Sequence, residues 1–388
     1  MRRLATRPRR DWQGQVETLG FLFHTPDGQP YWDESVAYSF TLGQIEDDIE
    51  GPTGAIEELC FAFVERAVAD EAILTRLAIP APAWPLIRDS WTRGDRNLYG
   101  RLDLAYDDTG PAKLLEYNAD TPTALFEASV VQWDWLEKAM SGGIISRGSD
   151  QYNSIHERLI AAFAEIASPL PPSLHLAAMA GHPEDRDTVA YLGDCAAQAG
   201  LAARFTTVEE IGLLSDGRFC DRDGEPIAAL FKLYPWEWMF RERYADALAT
   251  ARCQFIEPPW KALLSHKGLL PYLWEMSPGH PNLLPAFFEG DARSSQLGGS
   301  YVRKPLYSRE GANVTLLSDG VAQDSDDGPY GREGHVLQQT ARIPLFDGRY
   351  PVIGSWLVAS RPCGLGIREG DTPITKNTSR FVPHFIEP

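Results

Sequence analysis

Residues 100–123 read GRLDLAYDDTGPAKLLEYNADTPT. Two alternating runs, Arg101-Leu102-Asp103-Leu104 and Leu114-Leu115-Glu116-Tyr117-Asn118, flank Asp108-Thr109-Gly110-Pro111. Alternation on both sides of an Asp/Gly/Pro cluster predicts a β-hairpin. With the loop centred between Thr109 and Gly110, Asp103 opposes Glu116 and Arg101 opposes Asn118. Residues two apart share a face of a strand, so all four side chains project from one side. Opposed carboxylates repel each other. A divalent cation reverses that sign, because both acids become ligands and the Asn118 amide oxygen a third. Two acids and an amide suit Mg²⁺, and Arg101 beside them suits a phosphate. A solvated hairpin face with an Arg–carboxylate pair is the plain alternative. Against it stands the dense polar run Glu116–Thr123 at the end of an apolar strand, where sites tend to lie.

The rest of the chain bounds what such a site serves. With 388 residues, two or three lobes are expected around a sizeable core. A net charge of −18 argues against a nucleic-acid partner and leaves cationic or neutral small substrates open. Cys60, Cys195, Cys220, Cys253 and Cys363 are scattered without a CxxC pair, which reads as reduced thiols and a cytoplasmic setting. No apolar run approaches the roughly 20 residues needed to span a bilayer, so no membrane role is expected. Arg2, Arg3, Arg7, Arg9 and Arg10 are followed by no apolar stretch, so residues 1–12 read as a solvated or partly disordered basic arm rather than a signal.

Three subregions follow the arm. Residues 13–170 form a helical and hairpin region. Within it Phe21–His24 and Tyr31-Trp32 are expected to pair around Thr25-Pro26-Asp27-Gly28, and 33–79 is expected to be helical, with a break at Gly51-Pro52 and Asp33 and Thr53 as caps. Pro169-Leu170-Pro171-Pro172 marks a lobe boundary. Residues 171–212 alternate buried strands and a helix, which predicts a parallel-sheet subdomain. Glu184 and Asp185 fall where its first strand hands over to its helix. They read equally as acids complementing the helix dipole or as substrate contacts at a strand's carboxyl end.

In 213–388, residues 214–233 predict a hairpin turning at Asp223-Gly224, with Lys232 in its second strand. The aromatic knot Tyr234–Phe240 reads as packing. Tyr301–Leu306 predicts a strand carrying Lys304, followed by the loop Tyr307–Asn313 with Arg309 and Gly311. Backbone N–H groups of such a loop can fold over phosphates. Asp319–Asp327 reads as an acidic, mobile loop. Neither a P-loop nor a dinucleotide fingerprint occurs. A mostly antiparallel sheet with lysines and a glycine loop is what a nucleotide clamp of another kind needs.

Together with the hairpin, FKLYPWEWM, SHKGLLPYLW, YVRKPLYSREGANV and GSWLVASRPCGLGIREG resemble the synthetase domain of the glutathionylspermidine synthase family. The resemblance runs from about Asp11 to Pro388. It implies an ATP-grasp-type fold, α+β/α/β in class, whose mostly antiparallel sheet clamps the nucleotide beside a parallel α/β substrate subdomain. It further implies an ATP- and Mg²⁺-dependent ligase that joins a small-molecule or peptide carboxylate to an amine through an acyl phosphate. Carried over by motif, Arg101 contacts the transferring phosphoryl group, and Asp103, Glu116 and Asn118 hold Mg²⁺. Lys232, Lys267, Lys304, Gly311, Gln338 and Arg368 fall in the nucleotide motifs. Thr121, Thr123, Glu184 and Asp185 match substrate positions. Three departures stand out: no segment matches the amidase half of bifunctional members, Asp185 stands where the family has a second glutamate, and the acidic insertion Asp319–Asp327 is longer than the family pattern leads one to expect. Glutathione and spermidine are therefore not implied as the substrates.

Two other classes remain open on the residues alone. A carboxylate-pair hydrolase would use Asp103 and Glu116 as acid and base, but it leaves Asn118 and the lysines unexplained. A non-catalytic ATP-binding protein would retain the fold without turnover.

Overall fold

The computed structural model describes residues 1–167, 173–325, 327–376 and 379–388. Its first third contributes β1 (Arg2–Ala5), β2 (Val36–Phe40), β3 (Tyr99–Ala105) and β4 (Lys113–Asn118). The middle contributes β5 (Ser173–Ala178), β6 (Ala202–Thr207), the short β7 (Gly212–Leu213) and β8 (Phe219–Cys220), β9 (Ala229–Leu233) and β10 (Gln254–Ile256). Next come β11 (Ala286–Phe288), β12 (Tyr301–Pro305), β13 (Thr315–Ser318), β14 (Val321–Ser325) and β15 (His335–Gln339). The last are β16 (Tyr350–Val358), β17 (Arg361–Gly370), β18 (Arg380–Val382) and β19 (His384–Ile386).

Three sheets position the site. The hairpin β3–β4 ends an antiparallel sheet of order β18-β17-β16-β3-β4, and the glycine loop grows from an antiparallel sheet of order β11-β15-β12-β13-β14. The third, β10-β9-β5-β6, is parallel, with the helix Pro183–Gln198 crossing from β5 to β6. This is the mixed architecture expected: a mostly antiparallel clamp beside a parallel α/β unit.

The structure corrects several local expectations. The first residues are not a free arm. β1 pairs with β2, which pairs with the C-terminal β19. Arg3 Nε donates to Glu369 at 2.6 Å, and buried Arg9 binds Glu34 at 2.6 Å and Asp134 at 2.7 Å. Those acids lie far along the chain, so a local reading saw only unpaired arginines. Tyr31-Trp32 does not pair with Phe21–His24 as a hairpin. Pro26–Gly28 is a single 3₁₀ turn, and Trp32 bridges to Phe381 and stacks on its ring.

Residues 36–40 form a strand rather than a helix. Helix begins beyond Thr41, whose hydroxyl accepts from the Gln44 N–H. Gly51-Pro52 does not break it, because Pro52 sits in the first turn of Gly51–Ala69, where a missing N–H leaves no bond unmade. A π-turn, Glu46–Glu50, leads directly into that helix. Ile56, Cys60, Phe63, Val64 and Ala67 fall on its core side, each large apolar side chain stabilising the fold by roughly 1.5–3 kcal/mol. Thr53 caps nothing; its hydroxyl donates to the Ile49 carbonyl. Asp33 begins no helix either and instead binds Arg380.

The turn at Asp223-Gly224 forms, with Cys220 bridging antiparallel to Pro226 and the Ile227 N–H donating to the Phe219 carbonyl, but β9 does not continue that hairpin. It lies between β10 and β5, parallel to both. Every residue of its Ala-Leu-Phe-Lys-Leu run is buried, as a strand covered on both faces requires. The α/β unit therefore extends to Ile256, and a boundary at residue 212 would cut through one sheet. Within the acidic stretch, Asp319-Gly320 is a turn and Val321–Ser325 pairs with β13, so those residues form a strand instead of a loose loop. Residue 326 and the expected boundary at Pro169–Pro172 lie outside the described residues.

Candidate active site

β3 and β4 pair with Asp103 opposite Glu116 and Arg101 opposite Asn118, the register that the alternation predicts. Beyond the acids it shifts: Leu104 faces Leu114, and Leu115 is left as a bulge. On the other side of β3, β16 sets Gly354 opposite Asp103 and Trp356 opposite Arg101. A Cβ on Gly354 would stand 2.7 Å from Arg101 Cδ, so the missing side chain lets Arg101 lie across the strand. Arg101 grips Asp103 with two nitrogens, at 2.6 and 3.0 Å, and donates a third hydrogen bond to the Thr123 carbonyl at 2.7 Å. Arg368 on β17 pairs with Val352 of β16 and so projects from the same face. It donates to the carbonyls of Lys376 and Ser379.

Asn118 Nδ2 lies 3.1 Å from Asp103 Oδ2 and 3.4 Å from Glu116 Oε1. Two carboxylates and one amide therefore converge on a single point. Turning the Asn118 amide over presents its oxygen there instead. The result is the oxygen-donor set that Mg²⁺ takes, so the residues fit that ion. Among the described residues no group of three or more His, Cys, Asp and Glu side chains forms another candidate.

Lysines balance the acids. Lys267 Nζ lies 2.9 Å from Glu116 Oε2 and donates to the Ser308 carbonyl. Lys304 donates at 2.8 Å to the carbonyl of the bulged Leu115 and at 2.7 Å to Gln338 Oε1, while Gln338 Nε2 donates to the Leu114 carbonyl. The clamp sheet is thereby fastened to the open edge of the hairpin. Burial opposes ionisation of Glu116, yet Lys267 and Lys304 outweigh it and hold its carboxyl at about 2. Burial raises the Asp103 carboxyl despite Arg101, and the Glu116 charge adds to that rise. Burial likewise pushes Lys304 down to about 8 against the pull of Glu116.

Lys232 makes its contacts with other partners than Lys267 and Lys304 do. It is 1% exposed, binds Asp120 Oδ1 at 2.5 Å and donates to the Tyr234 carbonyl. The other Asp120 oxygen accepts from the Trp236 N–H. Strand alternation turns Lys232 toward the 119–123 loop, so its charge is spent on holding that loop.

Sequence reasoning gave the aromatic knot no chemistry and so missed Glu237. Arg309 donates to Thr121 Oγ1 at 2.7 Å and to Glu237 Oε1 at 2.8 Å, and its guanidinium lies over Trp238. The glycine loop is thus tied both to the knot and to the polar end of the hairpin. Gly311 has φ +75°, and a Cβ there would stand 2.8 Å from the Thr375 carbonyl oxygen, so the loop's path requires glycine.

Thr121 contributes its hydroxyl, whereas Thr123 contributes its carbonyl to Arg101. Glu184 and Asp185 occupy the first turn of the helix Pro183–Gln198. Burial, then the nearby charge of Glu127, raises Glu184 to about 7 despite Arg368. Burial also raises Asp185, with His182 opposing. Glu127, buried and hydrogen-bonded by the Tyr31 hydroxyl at 2.9 Å, was also missed. Nothing in a helical run marks one glutamate as facing inward to a polar pocket.

Clamp sheet, hairpin and parallel unit together have the layout of an ATP-grasp-type fold. The family model described as "Glutathionylspermidine synthase preATP-grasp" matches residues 3–387, and the chain belongs to that family. It is 42% identical to a Haemophilus influenzae protein named "Putative acid–amine ligase", over 99% of this chain and 98% of that one. It is 29% identical to the trypanothione synthetase of Crithidia fasciculata, over 82% of this chain and 51% of that protein. It is 23% identical to the bifunctional glutathionylspermidine synthetase/amidase of Escherichia coli, over 97% and 63%. The chain thus spans only part of the length of the latter two. Among solved structures, a glutathione synthetase-like effector of Globodera pallida aligns with a TM-score of 0.59 at 12% identity, over 97% and 95% of the two chains, a likeness of fold alone. No helix of the described residues is long and apolar enough to cross a membrane.

Proposed function

We propose that the chain uses ATP and Mg²⁺ to join a carboxylic acid to an amine through an acyl phosphate. The observation that carries this is the convergence of Asp103, Glu116 and Asn118 on one point beside Arg101. When bound, Mg²⁺ neutralises charge on the phosphates. Asp103, Glu116 and Asn118 hold it. Arg101 steadies the phosphoryl group in transfer, with Arg368 on the same face of the sheet. Lys267 and Lys304 receive the remaining phosphate charge, and the Gly311 loop and Gln338 segment cover the nucleotide. A carboxylate oxygen takes the γ-phosphoryl group and ADP leaves. The amine nitrogen then attacks the acyl carbon, phosphate departs, and the nitrogen loses a proton. Positioning and charge neutralisation suffice for such a transfer.

Thr121, Thr123, Glu184 and Asp185 are our substrate-contacting set, with the two acids on the amine. Asp185 is one methylene shorter than glutamate, which makes glutathione with spermidine a poor substrate pair. Five free thiols suit a reducing, cytoplasmic setting. ADP release with a panel of acids and amines tests the proposal, with hydroxylamine added in a parallel arm to trap the acyl phosphate as a hydroxamate. ADP formed only with acid present, and hydroxamate formed in step with it, supports the reading. ADP release independent of any acid overturns it.

A further inference from the structure

A cavity of about 360 Å³ opens at the carboxyl ends of β5, β9 and β10, apart from the hairpin acids. Ala177, Leu230 and Phe255 line it, on the sheet face opposite the one that buries Leu176, Ala178 and Phe231 under the helix Pro183–Gln198. Phe219, Met239 and Leu248 close its sides. Its size is that of a small-molecule pocket, and the carboxyl edge of a parallel sheet is where such ligands bind.

The charged groups on its wall other than Arg243 have hydrogen-bonding or ion-pair partners of their own. Lys232 is bound to Asp120 and the Tyr234 carbonyl. Glu242 accepts from the Tyr234 hydroxyl, and Glu209 accepts from the Ala180 N–H. Arg243, exposed at the rim, lies against the Tyr244 ring and has no hydrogen-bond or ion-pair partner among the described residues. An apolar hollow with one uncommitted guanidinium at its mouth selects a ligand with an apolar body and a single anionic end.

We propose that this cavity is a second ligand site, which takes a small hydrocarbon or aryl carboxylic acid with its carboxylate on Arg243. The site does not depend on the ligase reading. It does touch the same loop: the Lys232 stem forms part of its wall, and the Lys232 ammonium holds Asp120, two residues beyond Asn118.

Calorimetric titration with 3-phenylpropionate tests it, with 3-phenylpropanol and 3-phenylpropylamine as uncharged and cationic counterparts. The acid is expected to bind saturably and more tightly than the amine. Arg243→Gln is expected to weaken the acid by about tenfold, the loss of one charge-assisted hydrogen bond, and to leave the alcohol unchanged. Glu116→Gln should leave acid binding at this site unaltered, which separates it from the hairpin acids. Absence of saturable acid binding, equal binding of the amine, or unchanged acid affinity in Arg243→Gln overturns the proposal.

Discussion

Asp103 and Glu116 face each other across the β3–β4 hairpin, and the Asn118 amide nitrogen bridges them at 3.1 and 3.4 Å. Repulsion between two opposed acids is a cost that a merely structural hairpin gains nothing from. Here it is countered by Arg101 on one acid and Lys267 on the other, which leaves a compact oxygen cluster between cations.

Gly354 is expected to control Arg101. In Gly354→Ala the new methyl stands too close to Arg101 Cδ, so the guanidinium must leave Asp103. Turnover should fall by about 10–100-fold, the scale of a misplaced transition-state contact, while the circular dichroism spectrum stays native. Wild-type kcat in that variant would show that Arg101 need not lie where it does.

The Lys232–Asp120 pair is expected to act on stability more than on nucleotide affinity. Asp120→Asn leaves a buried ammonium without its counter-charge, at a cost of about 3–5 kcal/mol. The double variant Lys232→Met/Asp120→Asn should recover much of that loss in chemical denaturation. Equal destabilisation in single and double variants would argue against an ion-pair origin.

Glu184 gives stability a pH dependence. Its folded value of about 7 lies above the ordinary 4.5, so between those values the folded chain keeps a proton that the unfolded chain has released. Stability therefore falls as pH rises from about 4.5 to 7, and the penalty is complete above 7. Glu184→Gln should be more stable than wild type at pH 8 and no more stable at pH 4. Parallel melting curves of the two proteins across that range would remove Glu184 from its half-buried, acid-flanked setting.

Glu237 is expected to hold the glycine loop. Glu237→Ala frees one arm of Arg309, so limited proteolysis within 308–313 should quicken and the KM for ATP should rise while the fold persists. Unchanged cleavage and KM would mean that Thr121 and Gly311 fix the loop unaided.

Much of this site was legible because hairpin registers follow from alternation and turn residues alone, which set Asp103 against Glu116. The Leu115 bulge was not: alternation continues through it unmarked, yet it presents the carbonyl that Lys304 takes. β9 was misread because a short apolar run does not say whether its neighbours are parallel. The N-terminal arginines were misread because Glu34, Asp134 and Glu369 are distant in sequence. Lys232 fell in a motif with the other lysines by resemblance, but its partner depends on which way one strand faces. The tie between Arg309 and Glu237 joins residues on different elements, and no local pattern encodes it.

The most direct test of the central claim is Mg²⁺-dependent ADP release by Glu116→Gln, measured with the acid–amine pair that turns over best in the wild-type protein. Glu116 gives one oxygen to the Asn118 amide and one to Lys267, so its neutral isostere keeps the shape and removes the charge. The account expects a folded protein whose turnover is lower by on the order of 10²-fold or more. A folded Glu116→Gln protein with wild-type, Mg²⁺-dependent turnover would contradict it.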